Sequence, residues 1–440
     1  MRQSSLAATM VALAAFLFTA GCEKKPSGAA GTPRKTATTK SAGQTVRLTF
    51  WHIMDYEGPR EVLATAVQRF EQAHPGVVVE VVPIKNDLFK QKLATEIASG
   101  SPPDVFHTWG GGLLAAYARA GRVLDLSAAL EQDNWRESFH RAALNFCTAE
   151  GKVWAVPLDI SIVPVWYNRE IFRAQELDPP RHETDLKALC IKLRAAGITP
   201  FALGNKEQWP GCFYLIYFAT RRGGMRTLEA AAARRPGASF SHEAFVWAGR
   251  QIQELVALRA FPEGFNGLTD DQARRLFFTG RAAMYVMGNW LVARCRTEAP
   301  AFLERLDCFT FPAASEGAGD AGAVVGGTNA AFAVSSSCKH PEVAVALLRE
   351  LTSARVAKEW VAIGRLPAIG TEVTEQALPQ PARRALELLR AAPAIQLYYD
   401  QYLSPALALA HKETTQALFA GIMTPEAAAE RMEQVARENR

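Results

Sequence analysis

The apolar positions of the chain follow two periods in turn. Residues 46–51, VRLTFW, and residues 77–82, VVVEVV, show the alternating or continuous apolar pattern of β-strands. Between these runs Val62, Ala66 and Phe70 recur every four residues, which is the spacing of a buried helix face. The same succession of strand and helix continues to residue 121 and predicts a parallel sheet with helices on its faces.

This rhythm changes in an extended run near residue 153. The stretch VWAVPLDISIVPVWYN is too long for one average strand, and Pro157 and Pro164 are excluded from most interior positions of a sheet. We therefore expect this run to leave one lobe and enter another. Further along, the short apolar run at 282–287 ends before Trp290. This indole is thus expected just past the carboxyl end of a buried strand, where open α/β sheets bind ligands.

Length and charge narrow the class of protein. A chain of 440 residues is too long for one ordinary core, so two domains are expected, and 49% hydrophobic with 21% charged residues is a globular composition. Of the 49 Lys and Arg residues six lie in residues 1–45, together with one of the 44 acids, which leaves 43 of each in the rest. Because the body is neutral, nothing favours a nucleic-acid partner.

The first residues have the pattern of an export signal. An apolar run at 6–18 is too short to span a bilayer comfortably, and the small residues before Cys22 resemble the lipobox of bacterial lipoproteins, although Thr19 replaces the usual Leu. We expect a lipoprotein signal peptide at 1–22, acylation of Cys22 and a flexible tether at 23–45. The alternative is a plain signal peptide with a chance cysteine. The lipid anchor implies an extracytoplasmic location, on the periplasmic side of the cell envelope.

Six further cysteines permit disulfides outside the cytoplasm, but the sequence does not choose among the 15 pairings. None shows the paired Cys/His spacing of a zinc site, so no metal or other cofactor is predicted. Several stand in apolar runs and are equally well read as small buried hydrophobes. They are Cys147, Cys190, Cys212, Cys295, Cys308 and Cys338.

Ordered sequence blocks indicate a family. The stretches FEQAHPGVVVEV, IASGSPPDVFHTW, GKVWAVPLDISIVPVWYNREIF, FFTGRAAMYVMGNW, GGTNAAFAVSSSCKHPEVAVALLRELTS and LFAGIMTPEAAAERM cover most of residues 46–437. In this order they resemble the extracellular solute-binding proteins that serve ABC sugar importers. YYDQYLSP and WPGCFYLIYFATRRGG are most similar to the binders of raffinose and related oligosaccharides.

The resemblance implies an α/β, two-lobed periplasmic-binding-protein fold with a hinged interlobe cleft. Lobe 1 would comprise residues 46–157 with 312–366 returning to it, and lobe 2 residues 158–311 with 367–440 returning to it. The hinge positions of the family would fall near 156–160, 310–313 and 365–368, which coincide with the extended runs marked by proline. Closure by rotation at such hinges is common in binding proteins.

A sugar site needs rings for the apolar faces of the pyranose and polar groups for its hydroxyls. Trp290 matches a family tryptophan that stacks on sugar, and Trp209 matches a loop aromatic of the raffinose-type group. Packing inside a lobe is the alternative for each. The tryptophans at plausible cleft positions are Trp51, Trp109, Trp166, Trp209 and Trp290.

Polar candidates accompany these rings. Asp55 and Glu57 lie in the loop after the first strand, where the family often places side chains on sugar. Asp159 stands at a crossing and could face the cleft, Asn289 precedes Trp290 and could reach a hydroxyl, and Gly327 allows close backbone approach. The alternative for Asp55 and Glu57 is that each is a solvated loop acid, and the alternative for Gly327 is a structural turn.

The stretch LYYDQY at 397–402 is the most informative polar constellation. In the raffinose-like group an aromatic-x-Asp pattern holds a terminal galactosyl unit, which implies Tyr398 and Asp400 as ligand-binding residues. Gln401 stands where some relatives carry a basic or imidazole side chain, so the sugar itself stays open.

Together these features predict a monomeric, non-catalytic receptor that binds a di- to tetrasaccharide and delivers it to an ABC permease. One alternative is a ferric-ion or other solute receptor, with Tyr398 and Tyr399 as phenolate ligands. A glycosidase would need a pair of separated carboxylates that the sequence does not mark. Whether the partner is a transporter or a sensor stays open.

Overall fold

The computed structural model describes residues 45–370 and 375–439. The predicted signal peptide, the acylated Cys22 and nearly all of the predicted tether lie outside the described residues. Among those described, no helix combines the length and apolar character needed to cross a bilayer. All six cysteines of this part are free and buried.

The strands are short and numbered in chain order. They are β1 (Val46–His52), β2 (Val77–Pro83), β3 (Val105–Thr108), β4 (Thr148–Ala149), β5 (Lys152–Val153), β6 (Val156–Pro157), β7 (Ser161–Ile162), β8 (Val165–Asn168), β9 (Thr199–Ala202), β10 (Ala282–Val286), β11 (Leu306–Phe309), β12 (Val324–Gly327), β13 (Ala331–Val334) and β14 (Ile395–Leu397).

The helices are numbered in the same way. They are α1 (Pro59–Ala73), α2 (Asn86–Ser99), α3 (Gly111–Arg119), α4 (Ser127–Leu130), α5 (Arg141–Phe146), α6 (Arg169–Ala174), α7 (Glu183–Ala195), α8 (Trp209–Gly223), α9 (Met225–Ala232), α10 (Glu243–Ala257), α11 (Asp270–Phe278), α12 (Leu291–Glu298), α13 (Pro341–Leu351), α14 (Ala354–Ala362), α15 (Gln380–Ala391), α16 (Tyr399–Tyr402), α17 (Pro405–Ala420) and α18 (Pro425–Glu438).

Lobe 1 is built on a sheet of strand order β2-β1-β3-β13-β6. β1 runs parallel to β2 and β3, whereas β13 is antiparallel to β3 and β6. Both faces are covered: Phe50 and Phe332 belong to the core on one side, and Phe89 and Phe106 to the core on the other. The parallel sheet between helices that the first 121 residues predict is therefore confirmed.

Lobe 2 contains a four-stranded sheet, β11-β8-β10-β9, and a three-stranded sheet, β14-β12-β7. Its central helix α8 is buried without interruption from Pro210 to Arg221 and packs against α10 and α17. A helix that is apolar on nearly every side belongs in the interior of a domain. α8 thus forms the middle of the larger hydrophobic core of the molecule.

Three segments cross between the lobes and are joined to one another by backbone hydrogen bonds. Ile160 donates its backbone N–H to the carbonyl of Leu366 over 3.0 Å, and Leu158 donates to Ala330 over 2.7 Å. The Asp159 carboxylate joins all three segments, because it accepts the backbone N–H of Ala330 at 2.8 Å and forms a buried ion pair with Arg365.

The crossing predicted near 310–313, with a return to lobe 1 from residue 312, is wrong in position. Phe309 pairs with Val165 and Ala313 bridges to His182, both inside lobe 2. The buried guanidinium of Arg221 donates to the carbonyl of Pro312 at 3.2 Å, so the proline marks a loop fixed within this lobe. The third crossing follows β12, at 328–330.

Candidate functional site

Trp290 follows a strand that is buried along its whole length. β10 pairs with β8 and β9, and all five of its residues are buried. Trp290 comes at the start of α12, is partly exposed and lines a cleft between the lobes. A Cβ atom on Gly288 would lie 2.0 Å from Cζ3 of the indole, so this glycine leaves the space that the ring occupies. The sequence therefore located the indole correctly at the end of the strand.

Aromatic rings from both lobes line this cleft. Trp109 follows β3 in lobe 1, whereas Trp209, Trp290 and Tyr398 belong to lobe 2. The rings of Trp290 and Tyr398 meet edge to face with 6.3 Å between centroids, and the Tyr398 hydroxyl lies 2.5 Å from Oγ of Ser161. The indole Nε1 of Trp209 is buried and has no hydrogen-bond partner among the described residues. The cleft thus offers several ring faces and, at Trp209, a buried donor without a partner among the described residues.

Asp400 lies in the same cleft and is held from both lobes. Its Oδ2 accepts a hydrogen bond from Nε2 of Gln401 at 2.9 Å and lies 3.5 Å from Nζ of Lys90 in lobe 1. The same ammonium is placed over the ring of Trp109, 4.9 Å from its centroid. Gln401 is 4% exposed, and its Oε1 has no partner in the described part of the chain. Asp400 and Gln401 therefore form an oriented pair with free acceptor capacity.

Asp55 reaches the cleft from the loop after β1. Arg294 of α12 approaches it with 3.3 Å between Nη2 and Oδ1, and the guanidinium lies 3.6 Å from the centre of the Tyr56 ring. At another point of the cleft Lys85 of lobe 1 contacts Asp271 of lobe 2 at 2.8 Å. With the Lys90–Asp400 contact, three ion pairs of the described residues join the lobes around the cleft. We call them the cross-cleft ion pairs.

Two carboxylates of the cleft form no ion pair with any residue of 45–370 or 375–439. Burial raises the pKa of Asp87, and burial also raises the pKa of Glu207, with a smaller contribution from the nearby charge of Asp87. For Asp271, burial would raise the pKa, but the hydrogen bond from Lys85 and the charge of Arg274 hold it at about 2. The cleft therefore contains both ionised, paired carboxylates and desolvated ones that can accept hydrogen bonds from a ligand.

Several of these side chains escaped the sequence analysis. Some of them stand on helices and the others in the short segments before helices, and a charged residue at such a position is more often solvated. For those of α2 and α12, the signal that could have found them is the position of α2 after β2 and of α12 after β10. The missed residues are Lys85, Asp87, Lys90, Glu207, Asp271 and Arg294.

Three predicted residues lie away from the cleft lining on the lobe surfaces or inside a lobe. Trp51 is half-buried on β1, with Nζ of Lys92 over its ring at 4.3 Å, and Glu57 is exposed. Trp166 is fully buried and donates its indole N–H to the carbonyl of Met287 at 2.8 Å. Trp166 is therefore a core residue, because β8 is a central strand of its sheet.

Three others support the crossings beneath the cleft. Asp159 is buried in its ion pair with Arg365, and Asn289 is buried with its backbone N–H bonded to the carbonyl of Ile162 at 2.9 Å. Gly327 has φ +148°, and a Cβ there would lie 2.3 Å from Leu397. Packing and backbone geometry therefore explain why aspartate, asparagine and glycine stand at these three positions. Asp55, Trp109, Trp209, Trp290, Tyr398 and Asp400 are the predicted residues that the fold brings together.

The fold and cleft can now be compared with known proteins. The sequence model of the bacterial extracellular solute-binding proteins matches residues 56–358. The chain belongs to this family. The family and its structural neighbours are binding proteins rather than enzymes.

Curated relatives match part of the chain. An uncharacterized ABC transporter extracellular-binding protein of Pyrococcus horikoshii is 26% identical over 271 residues, 59% of this chain and 59% of the relative. A probable sugar-binding periplasmic protein of Mesorhizobium japonicum is 26% identical over 260 residues, 57% of this chain and 60% of the relative. The matched region thus spans less than two thirds of either relative.

Solved structures match over a larger share. A protein from a study of xylan utilization by Caldanaerobius polysaccharolyticus superposes with a TM-score of 0.84 at 29% identity, covering 88% of this chain and 99% of that one. A chitin oligosaccharide binding protein superposes with a TM-score of 0.84 at 22% identity, covering 90% of this chain and 99% of that one. The solute-binding protein RafE, solved with raffinose, superposes with a TM-score of 0.74 at 21% identity, covering 90% of this chain and 99% of that one. The two-lobed fold of this solute-binding protein is thereby confirmed.

Proposed function

We propose that this solute-binding protein is a carbohydrate receptor that closes on an oligosaccharide, of the size of a di- to tetrasaccharide, in the cleft between its lobes. The observation that carries the proposal is the meeting of Trp109 from lobe 1 with Trp209 and Trp290 from lobe 2 around one cleft that also contains carboxylates. Ring faces cover the apolar faces of a pyranose, and carboxylates accept hydrogen bonds from its hydroxyls.

Roles can be assigned within this proposal. Trp290, Trp209 and Trp109 stack on sugar rings, and Asp400 accepts hydroxyl hydrogen bonds through the capacity that Gln401 leaves free. Tyr398 supports the face of Trp290 and contributes its own ring edge. Asp55 helps to hold the two lobes together through its cross-cleft ion pair with Arg294.

The proposal extends to location and partner. An extracellular family and the lipobox-like residues before Cys22 support a lipoprotein held outside the cytoplasm, which we propose to be a monomer. Its partner would be an ABC import permease, since the Pyrococcus relative carries the name of an ABC transporter binding protein. A sensor that reads the closed form is the alternative partner, and loss of uptake or loss of signalling on deletion separates the two.

The ferric-ion alternative is disfavoured by the same site. Burial raises the pKa of Tyr398 and the pKa of Tyr399, which opposes the phenolate form that iron needs. Within the described ranges no group of three or more His, Cys, Asp and Glu side chains is arranged to hold a metal ion. A purified protein that stays colourless with Fe³⁺ would agree with this assignment.

A thermal-shift screen tests the function directly. Neutral oligosaccharides such as raffinose, xylotriose, maltotriose and diacetylchitobiose would be compared at millimolar concentration. A ligand at about 100 times its Kd stabilises the folded state by about 2.7 kcal/mol, so a cognate sugar should raise the melting temperature clearly. A melting temperature that no sugar changes would contradict the proposal.

A further inference from the structure

Lys90 lies where two groups of the proposed sugar site converge. It is carried by α2 in lobe 1, and its ammonium is 4.9 Å from the centroid of the Trp109 ring and 3.5 Å from Oδ2 of Asp400 in lobe 2. The Lys90 side chain is 23% exposed, and Trp109 is 6% exposed. The chain itself therefore places a positive charge between a stacking ring and a carboxylate.

Such a pair of groups is a favourable place for any cation. The face of an indole attracts a cation through its quadrupole, and the attraction grows as water is excluded. A carboxylate beside it adds a charge-assisted hydrogen bond. A ligand that carried an ammonium group would be suited to the Trp109–Asp400 pair if Lys90 were not already there.

Two other carboxylates of the cleft are already paired with cations of the protein. Asp55 is paired with Arg294, and Asp271 with Lys85 and Arg274. Asp87, the nearest acid on the same helix, already lies in the positive field of Lys90, Lys85 and Lys412. Asp87 and Glu207 are the cleft carboxylates that form no ion pair in the described part of the chain. A ligand ammonium at the Trp109–Asp400 pair would still meet the direct repulsion of Lys90, whereas a neutral hydroxyl would gain a donor.

We propose that Lys90 is a specificity-determining residue: it excludes sugars that carry an ammonium group at the Trp109–Asp400 subsite and selects neutral ones. The inference rests on the proposed carbohydrate function. It states that the cleft prefers neutral saccharides and that Lys90 of lobe 1 causes this preference. Two like charges about 4 Å apart near a protein surface repel strongly enough to weaken binding by at least about tenfold.

The test compares Lys90→Met with the wild type by isothermal titration calorimetry. Methionine keeps an unbranched side chain and removes the charge. The probes are the β-1,4 disaccharide of glucosamine, which is cationic at about pH 6, and its neutral N,N′-diacetylated form. We expect the glucosamine disaccharide to bind Lys90→Met at least about tenfold more tightly than the wild type.

Lys92→Met is the matched control. Lys92 stands two residues further on the same helix, and its ammonium also lies over a tryptophan, 4.3 Å from the Trp51 ring centroid, but neither residue lines the cleft. This variant should behave as the wild type toward both disaccharides.

The outcomes separate the two proposals. If Lys90→Met gains no affinity for the glucosamine disaccharide, or if Lys92→Met gains as much, the role of Lys90 is overturned. The carbohydrate function fails by a different result, namely that no neutral sugar in the thermal-shift screen stabilises the wild type.

Discussion

Arg294 of lobe 2 reaches across the cleft to Asp55 of lobe 1, with 3.3 Å between Nη2 and Oδ1, while its guanidinium stacks on Tyr56 at 3.6 Å. Trp290, four residues earlier, is the N-cap residue of the same helix, so one turn presents both a ring for the ligand and a charge for the opposite lobe. The cross-cleft ion pairs therefore favour the closed arrangement by charge, in addition to whatever the ligand contributes.

The first prediction concerns this closure. Arg294→Met should populate more open forms in the absence of sugar, because one of the cross-cleft ion pairs is lost. Small-angle X-ray scattering at about 20 mM salt should give a larger radius of gyration than for the wild type, and the wild type should approach it at about 1 M salt, where exposed charges are screened within about 3 Å.

Arg250→Met is the control for this experiment, because Arg250 pairs with Glu426 inside lobe 2 at 2.6 Å. Its radius of gyration should equal that of the wild type. Equal radii for Arg294→Met and the wild type at low salt would show that the pair does not hold the lobes together.

Gly288 is predicted to be necessary for the placement of Trp290. In Gly288→Ala the new methyl would overlap the indole, because its carbon would lie 2.0 Å from Cζ3 of the ring. The ring must move, so sugar affinity should fall, at a stability cost of about 1–3 kcal/mol. Calorimetry and urea unfolding measure the two effects.

Gly267→Ala is the control for Gly288→Ala. A Cβ atom at Gly267 would have no heavy atom of the described residues within 4 Å, so this variant should change neither affinity nor stability. Full sugar affinity in Gly288→Ala would reject the packing argument.

His411 should make unfolding depend on pH. Burial lowers its pKa to about 4 from an ordinary value of 6.5, and it is 1% exposed, packed on Tyr399. A folded pKa below the unfolded one gives a stability contribution that is complete above pH 6.5 and is lost as the pH falls towards 4. Over this interval His411 should account for about 1–3 kcal/mol of lost unfolding free energy.

The variant His411→Phe tests this by urea denaturation at several pH values between 7 and 4. It should retain the ring packing and show a shallower decline of unfolding free energy than the wild type. Some decline should remain, because burial also lowers the pKa of His52 to about 4. An unchanged dependence of the unfolding free energy on pH would mean that the pKa of His411 does not differ between the folded and unfolded states.

Cys22→Ser is predicted to release the protein from membranes. The residue lies outside the described part of the chain, and the expectation rests on the lipobox-like pattern. The acyl chains on this cysteine would be the membrane anchor, and serine cannot carry them in the same way. Fractionation of cells expressing either form should move the variant to the soluble fraction. Persistent membrane association would exclude acylation as the anchor.

The sequence predicted the parts of the fold that each segment decides by itself. β1, α1 and β2 bury faces set by their own residues, and β10 ends where glycine and asparagine interrupt an apolar run. Trp290 could be placed for this reason. The indole of Trp166 could not, since a strand residue that is central in a sheet has the same local pattern as one at its edge.

Other features depend on residues far apart in the chain. Asp159 and Arg365 neutralise each other across 206 positions, and neither residue reveals its partner locally. The third crossing was misplaced because proline marks loops and crossings alike, whereas the carbonyl of Pro312 is fixed by Arg221. Lys90 and Arg294 contact the opposite lobe, and the residues around them in their own helices do not reveal those contacts; only the position of α2 after β2 and of α12 after β10 points to the cleft.

The most direct test of the central claim, that a sugar stacks on Trp290 between the lobes, is calorimetric titration of Trp290→Ala with the sugar that the thermal-shift screen identifies. Trp51→Ala is the control, because Trp51 lies outside the cleft lining. We predict that Trp290→Ala loses about 1–3 kcal/mol of binding free energy while remaining folded, and that Trp51→Ala binds as the wild type does. Undiminished affinity in a folded Trp290→Ala protein would contradict the account.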